Sequence, residues 1–208
     1  NRDELRAIAD VAIEHDLIVV TDEVYEHLVY EGEHVPISTL PGMFERTLSI
    51  SSAGKTFALT GWKVGWATGP VPLIDAIRTT KQFMTFTNAA PMQPAIAHGL
   101  LMDDAYFTTL TTDMRRKRDL LCNGLAEVGF EVFKPSGTYF ASVDIRPLGF
   151  DDGFAFCREL PKLAGVVAIP HAVFYDNVEI GRPLVRFAFC KRDEVLVEAV
   201  DRLHKLAH

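Results

Sequence analysis

Cysteine is scarce in this sequence of 208 residues: Cys122, Cys157 and Cys190 are odd in number and far apart. They form no disulfide framework and repeat at no metal-ligand interval, so they read as reduced packing residues and no metal site is expected. Long apolar runs are also missing. No stretch approaches the ~20 residues that a membrane span requires, and no signal-peptide pattern opens the chain, which makes the cytoplasm the expected compartment and a membrane partner unexpected. Blocks of positive charge are limited to Arg115-Arg116-Lys117-Arg118, set against a net charge of −7. That balance argues against a nucleic-acid surface, and the quartet reads as a solvated helix face. Internal repeats and low-complexity segments are absent.

What is present is core material: 48% of the residues are hydrophobic and 24% charged, as in an ordinary soluble globular protein. The chain can support one large domain or two small ones. Apolar residues Leu5, Ile8, Ala9, Ala12 and Ile13 recur at helical spacing, predicting a helix over 3–15. Strands at 17–21, 47–50 and 64–68 follow, with loops at Pro36 and Pro41-Gly42 between the first two. Helices are then expected at about 72–84, 92–101 and 103–127, separated by Pro70, Pro72 and Asn88-Ala89-Ala90-Pro91. Beyond Gly129 the texture changes to short strands at Val132–Phe133, Tyr139–Val143, Val166–Ile169 and Val185–Phe189, with helices near 152–161 and 192–206. The first part suits a sheet with covering helices and the second an α+β unit. The boundary is expected inside the long helix, near 105–115, giving domains 1–108 and 109–208.

Three segments carry chemistry. Ser52-Ala53-Gly54-Lys55-Thr56-Phe57 sets a lysine in a small-residue turn, with a hydroxyl three residues before it and a second cation, Lys63, eight residues after it. Such a lysine can bond covalently to a carbonyl while its neighbours hold a phosphate; taken alone, Lys55 reads rather as a surface lysine of a buried turn. Leu17-Ile18-Val19-Val20 reads as a buried parallel strand ending at Thr21-Asp22-Glu23-Val24-Tyr25. Open α/β sheets bind ligands beyond the carboxyl ends of their strands, which is where Asp22 stands, although by itself Asp22 reads rather as an ordinary cap or turn residue. Leu184-Val185-Arg186-Phe187-Ala188-Phe189 alternates like a strand and sets a guanidinium among apolar neighbours. A buried Arg wants a carboxylate, and the alternative is a strand-end Arg whose head reaches solvent.

Together these segments resemble the class I aminotransferases that use pyridoxal 5'-phosphate (PLP), in order and in approximate separation. The resemblance spans essentially the whole chain. Asp22-Glu23-Val24-Tyr25, Gly61-Trp62-Lys63-Val64-Gly65-Trp66 and Gly137-Thr138-Tyr139-Phe140 make it similar to the branch of kynurenine, methionine and N-succinyldiaminopimelate aminotransferases. It implies an α/β chain of fold type I, carrying the C-terminal part of a large, mostly parallel-sheet domain and a small α+β domain. It also implies that Lys55 forms the Schiff base with PLP and serves as general base, that Asp22 pairs with the pyridine nitrogen, and that Tyr25 bonds the ring oxygen. Ser52 and Lys63 then clamp the phosphate, Lys63 standing where many relatives carry Arg, and Arg186 takes the substrate α-carboxylate. Amino acids and 2-oxo acids are the implied substrates, and a homodimer the implied assembly, with Phe86 to Pro91 a weak candidate for a loop reaching the other subunit's site. Family members are about twice this length, so the chain is expected to be the C-terminal half of a longer protein. Ser52-x-x-Lys55 also fits the first box of penicillin-recognising serine enzymes, but no Ser-Asp-Asn or Lys-Thr-Gly box follows. A PLP-dependent cysteine-conjugate β-lyase and a non-catalytic fragment remain as alternatives.

Overall fold

A computed structural model describes residues 1–207. Contacts divide the chain into two units, Asn1–Leu110 and Thr111–His208.

The first unit opens with α1 (Arg2–Glu14), started by Asn1, whose side chain accepts from the Asp3 and Glu4 amides in a capping box. Its Ala9 and Ala12 are buried against Ile37, Leu40 and Met43, with Leu5 and Val19 packed on the same cluster. Strands β1 (Val19–Asp22), β2 (Thr47–Ser52) and β3 (Gly65–Thr68) form a sheet in the order β1-β2-β3. The sheet is mixed: β1 pairs parallel with β2, in the register Asp22↔Ile50, while β3 returns antiparallel with Ser52↔Gly65. Between β2 and β3 lies the four-residue helix α2 (Ala53–Thr56), and helices α3 (Val71–Met84) and α4 (Gln93–Gly99) follow.

Strand β1 is barer than its sequence predicts. The run ahead of Asp22 reads as a buried strand, yet Ile18 is 59% and Val20 60% exposed. A strand is buried on both faces only when both are covered. β1 lies at the sheet edge; α1 covers the face that carries Val19, and the alternation of side chains turns Val20 to the other face.

Helix α5 (Asp104–Val128) leads into the second unit. There β4 (Glu131–Phe133), β5 (Phe140–Asp144), β6 (Ile169–Pro170) and β7 (Leu184–Ala188) form an antiparallel sheet in the order β4-β5-β7-β6. Helices α6 (Gly153–Leu163), α7 (Val178–Gly181) and α8 (Asp193–Leu203) complete it. Leu125, Val143, Leu160, Val185 and Leu203 are among its fully buried residues. The predicted strand at 166–169 shrinks to the pair at Ile169–Pro170, and α6 continues through Pro161 to Leu163. A proline this close to a helix end removes only one ladder bond, so the last turn survives.

The basic quartet also departs from the solvated face its sequence predicts. Arg116 and Lys117 do pair with Asp113 near solvent, but Arg118 is only 3% exposed. Helical spacing puts it on the same face as Leu121 and Leu125, both buried, and the guanidinium is satisfied by the Pro135 carbonyl at 2.9 Å and by Asp119.

Candidate functional site

The carboxyl ends of the parallel strands β1 and β2 carry the first group of residues. Ser52 ends β2 and caps α2, its Oγ accepting from the Gly54 amide at 3.0 Å and donating to the Val64 carbonyl at 3.4 Å. What reads in sequence as a turn around Lys55 is thus one helical turn. Gly54 packs tightly in it: a Cβ there would lie 3.2 Å from both Ser52 Oγ and the Thr60 Cα, so these neighbours would have to shift by a few tenths of an ångström. Tyr106 and Phe107, on the first turns of α5, brace the turn from behind: Tyr106 donates its hydroxyl to the Thr56 carbonyl at 3.0 Å and stacks on Phe57.

Lys55 is half-buried on this turn, with Nζ 5.8 Å from the centre of the Tyr25 ring. Tyr25 sits in the turn that follows β1, and Asp22 Oδ1 closes the start of that turn by accepting from the Val24 amide at 3.3 Å. Two further contacts pin the turn to the sheet, and a third ties it to the loop at His34. The Glu23 amide donates to the Ile50 carbonyl at 2.7 Å, Ser51 donates its hydroxyl to Glu26 at 2.6 Å, and His34 pairs with Glu23 at 2.6 Å. His27 stacks on Phe107, and burial holds its imidazole below the usual histidine range, Glu26 opposing the shift and His34 adding to it.

Lys63 lies two residues before Gly65 of the Ser52↔Gly65 pair, with a left-handed backbone at φ 54° and ψ 40°. Asp22, Tyr25, Ser52, Lys55 and Lys63 therefore all gather at one end of the same three-stranded sheet. The Phe86 to Pro91 loop joins α3 to α4 with two more left-handed residues, Phe86 and Ala89.

Arg186 belongs to the second unit. On β7 it is in register with Ser142 of β5 and Ile169 of β6. Its guanidinium carbon lies 3.9 Å from the Phe140 ring centre and 4.6 Å from that of Phe174, and Nε is buried with no hydrogen-bond partner. Ser142 Oγ and His171 Nε2 are 2.9 Å apart. Burial, with Arg186 as the second cause, depresses the His171 pKa. Sequence reasoning missed Phe174, His171 and Ser142 around Arg186, and the Ser51–Glu26 hydrogen bond that holds the turn carrying Tyr25. Only Phe140 carried a signal, as part of Gly137-Thr138-Tyr139-Phe140.

Chemically, the first group combines one amine, a hydroxyl, a second cation, a phenol and a carboxylate, a set that fits a carbonyl group with an anionic tail and a protonated ring nitrogen. The second offers a caged guanidinium with an orphaned donor, which suits a planar carboxylate. Among the described residues no cluster of His, Cys, Asp and Glu is arranged to hold a metal ion, and no helix is long and apolar enough to cross a membrane. His204 and His208 stand four apart in sequence, but His208 lies outside the described residues.

Comparison with known proteins places the chain in a family. The profile of aminotransferase class I and II matches residues 1–203. The chain is 48% identical to the probable N-succinyldiaminopimelate aminotransferase DapC of Mycobacterium tuberculosis, over 98% of this chain and 54% of that protein. It is 40% identical to kynurenine–oxoglutarate transaminase 3 of Mus musculus, over 94% of this chain and 47% of that protein. Among solved structures, the Mycobacterium tuberculosis N-succinyldiaminopimelate aminotransferase superposes with a TM-score of 0.97 at 49% identity, covering 100% of this chain and 54% of that one. The methionine aminotransferase YbdL of Escherichia coli gives 0.92 at 35% identity, covering 98% and 53%. The chain thus spans about half the length of the relatives it matches. With its mixed and antiparallel sheets and its lysine turn between β2 and β3, the chain belongs to the class I and II aminotransferases and carries the type I fold of PLP-dependent transferases.

Proposed function

We propose that the protein moves an amino group between an amino acid and a 2-oxo acid, with PLP held on Lys55. The observation that carries this reading is the lysine on its Ser52-capped turn, beside Tyr25 and at the same sheet end as Asp22. When bound, PLP supplies a carbonyl that captures amines and a ring that accepts electrons from the bond broken at the substrate α-carbon. Lys55 Nζ would hold the cofactor through its carbonyl carbon and would also carry the proton to and from the substrate α-carbon. Asp22 keeps the proton on the ring nitrogen, because a carboxylate stabilises the charged form. Tyr25 donates to the ring oxygen, while Ser52 and Lys63 bind the phosphate. Arg186 takes the α-carboxylate with its planar fork, the Phe140 and Phe174 rings holding that plane. The assembly is a homodimer, and the compartment the cytoplasm.

A cysteine-conjugate β-lyase would use the same lysine, aspartate and arginine, but the relatives carry aminotransferase names, which favours transamination. The test is an assay of the full-length protein against a panel of amino acids and 2-oxo acids, paired with borohydride reduction of the holoenzyme and peptide mapping. Product formation that depends on a 2-oxo acid, with the tag on Lys55, is the expected result. A tag on another lysine removes Lys55 from its role, product formed without a 2-oxo acid supports the lyase, and the absence of any cofactor absorbance supports a non-catalytic protein.

A further inference from the structure

The backbone of Lys63 poses a physical problem that Asn88 solves. A lysine at φ 54° occupies a region that residues with a Cβ visit rarely and hold only where the surroundings over-determine it. Lys63 caps the short helical turn Thr60–Trp62 and precedes β3, so its conformation decides where the following strand and its own side chain start out. Its carbonyl accepts a 2.7 Å hydrogen bond from Asn88 Nδ2. The same Asn88 side chain is held at its other end, Oδ1 accepting from Lys81 Nζ at 3.0 Å, and Lys81 also donates to Thr85 at 2.6 Å. The Asn88 carbonyl accepts from Gln93 Nε2 at 2.9 Å. Left-handed Phe86 and Ala89 flank Asn88 two residues before and one residue after. The Asn88 amide thus ties the loop between α3 and α4, which itself carries two left-handed residues, to the backbone of Lys63.

We propose that Asn88 is a positioning residue that holds Lys63 in its left-handed conformation and so keeps the Lys63 ammonium available to the cofactor phosphate. This rests on the reading of Lys63 as part of the phosphate clamp. An amide suits this position because it donates to a carbonyl through one end while accepting from a lysine through the other. A carboxylate here keeps the acceptor and loses the donor.

The test compares dissociation constants of PLP and of pyridoxal, which lacks the phosphate, for the full-length protein and four variants: Asn88→Ala, Asn88→Asp, Lys63→Ala and Lys63→Ala/Asn88→Ala. Cofactor absorbance after equilibrium dialysis reads both ligands without recourse to turnover. Losing one hydrogen bond of this kind is expected to weaken PLP about fivefold to tenfold in Asn88→Ala and to leave pyridoxal unchanged. Asn88→Asp, nearly isosteric, is expected to weaken PLP in the same sense and serves as the second readout where the alanine variant folds poorly. Lys63→Ala is expected to weaken PLP further, and adding Asn88→Ala to it should cost nothing more, since the two act through one contact. Equal weakening of PLP and pyridoxal by both Asn88 variants, unchanged PLP binding, or a full additional loss in the Lys63→Ala background overturns the proposal. If Lys63→Ala itself leaves the preference for PLP over pyridoxal intact, the phosphate reading of Lys63 falls, and the role of Asn88 falls with it.

Discussion

Asp22 and Arg186 show how differently two candidate site residues are held. Asp22 is exposed, and one carboxylate oxygen anchors a local turn through the Val24 amide. In Asp22→Asn the amide oxygen still accepts that bond, so the fold and PLP binding are expected to survive. Turnover should fall on the order of 100-fold or more, because an amide cannot hold the ring proton as a carboxylate does. Steady-state rates at saturating PLP check this, and near-normal turnover removes Asp22 from the mechanism. Arg186 is held by rings on its faces and by its neighbours in the sheet. Arg186→Lys replaces a planar fork by a point charge, with an expected loss of about 2–5 kcal/mol in amino acid binding and little change for PLP. The measurement is KM for an amino acid beside that for its decarboxylated amine. A wild-type enzyme that treats the two alike counts against the role. The Asp22–Tyr25 spacing and the Ser52–Lys55 spacing were legible because each lies within one local turn. Phe174, His171 and Ser142 were not, because only pairing among β5, β6 and β7 brings residues from 140 to 186 together.

Elements were legible where periodicity was strong: α5 spans Asp104–Val128 against a predicted 103–127. The weak element was β6, where a valine-rich segment promised four residues of strand over 166–169 and only Ile169 and Pro170 pair with β7. How α5 meets α8 was beyond the sequence. Gly124 lies well inside α5, and a Cβ there would come within 2.5 Å of Val200 Cγ2 and 2.6 Å of Cγ1. Alanine normally favours a helix over glycine by about 1 kcal/mol, yet here Gly124→Ala is expected to destabilise by about 1–3 kcal/mol through overpacking. Urea denaturation checks the sign, and a more stable variant shows that α8 yields. Two histidines give a pH dependence. His27 and His171 both have folded pKa values below their unfolded ones, chiefly through burial, so the unfolded chain binds their protons first as pH falls. Their contribution is present in full above about pH 6.5 and is lost as pH drops through the folded values. The paired Asp144, lowered chiefly by its hydrogen bond to Arg146, adds its own loss only below about pH 4. A thermal midpoint that falls between roughly pH 7.5 and 5.5, less steeply in His27→Gln/His171→Gln, is the expected result. An equally steep fall in that variant assigns the dependence elsewhere.

At the scale of the whole chain, exposed apolar surface decides behaviour. Phe83, Met84 and Phe86 are each more than three-quarters exposed and Leu101 is 84% exposed, while Ile18 and Val20 lie bare at the edge of the sheet. Apolar surface of this kind marks an interface or an aggregation hazard. Residues 1–208 expressed alone are therefore expected to self-associate and to lose PLP on dialysis, and a chain of the relatives' full length is expected to form a homodimer that retains it. Light scattering and cofactor absorbance of both proteins check this, and a stable, yellow, monomeric 208-residue protein overturns it.

From the sequence alone came the family resemblance, the lysine turn, the strand-end aspartate and the order of most elements, because each depends on neighbours within a few residues or on a repeating apolar period. Tertiary structure decided the rest. It set which strands pair and in what direction, buried Arg118 on a helix face whose neighbours lie elsewhere in the chain, and left Val20 bare where an apolar run implied burial. It also set Arg186 between two rings and tied Asn88 to Lys63 across 25 residues. The physical reason is common to all of these. Burial and hydrogen-bond satisfaction are properties of what comes to lie against a side chain, and a linear pattern records only the side chain's own half of that contact.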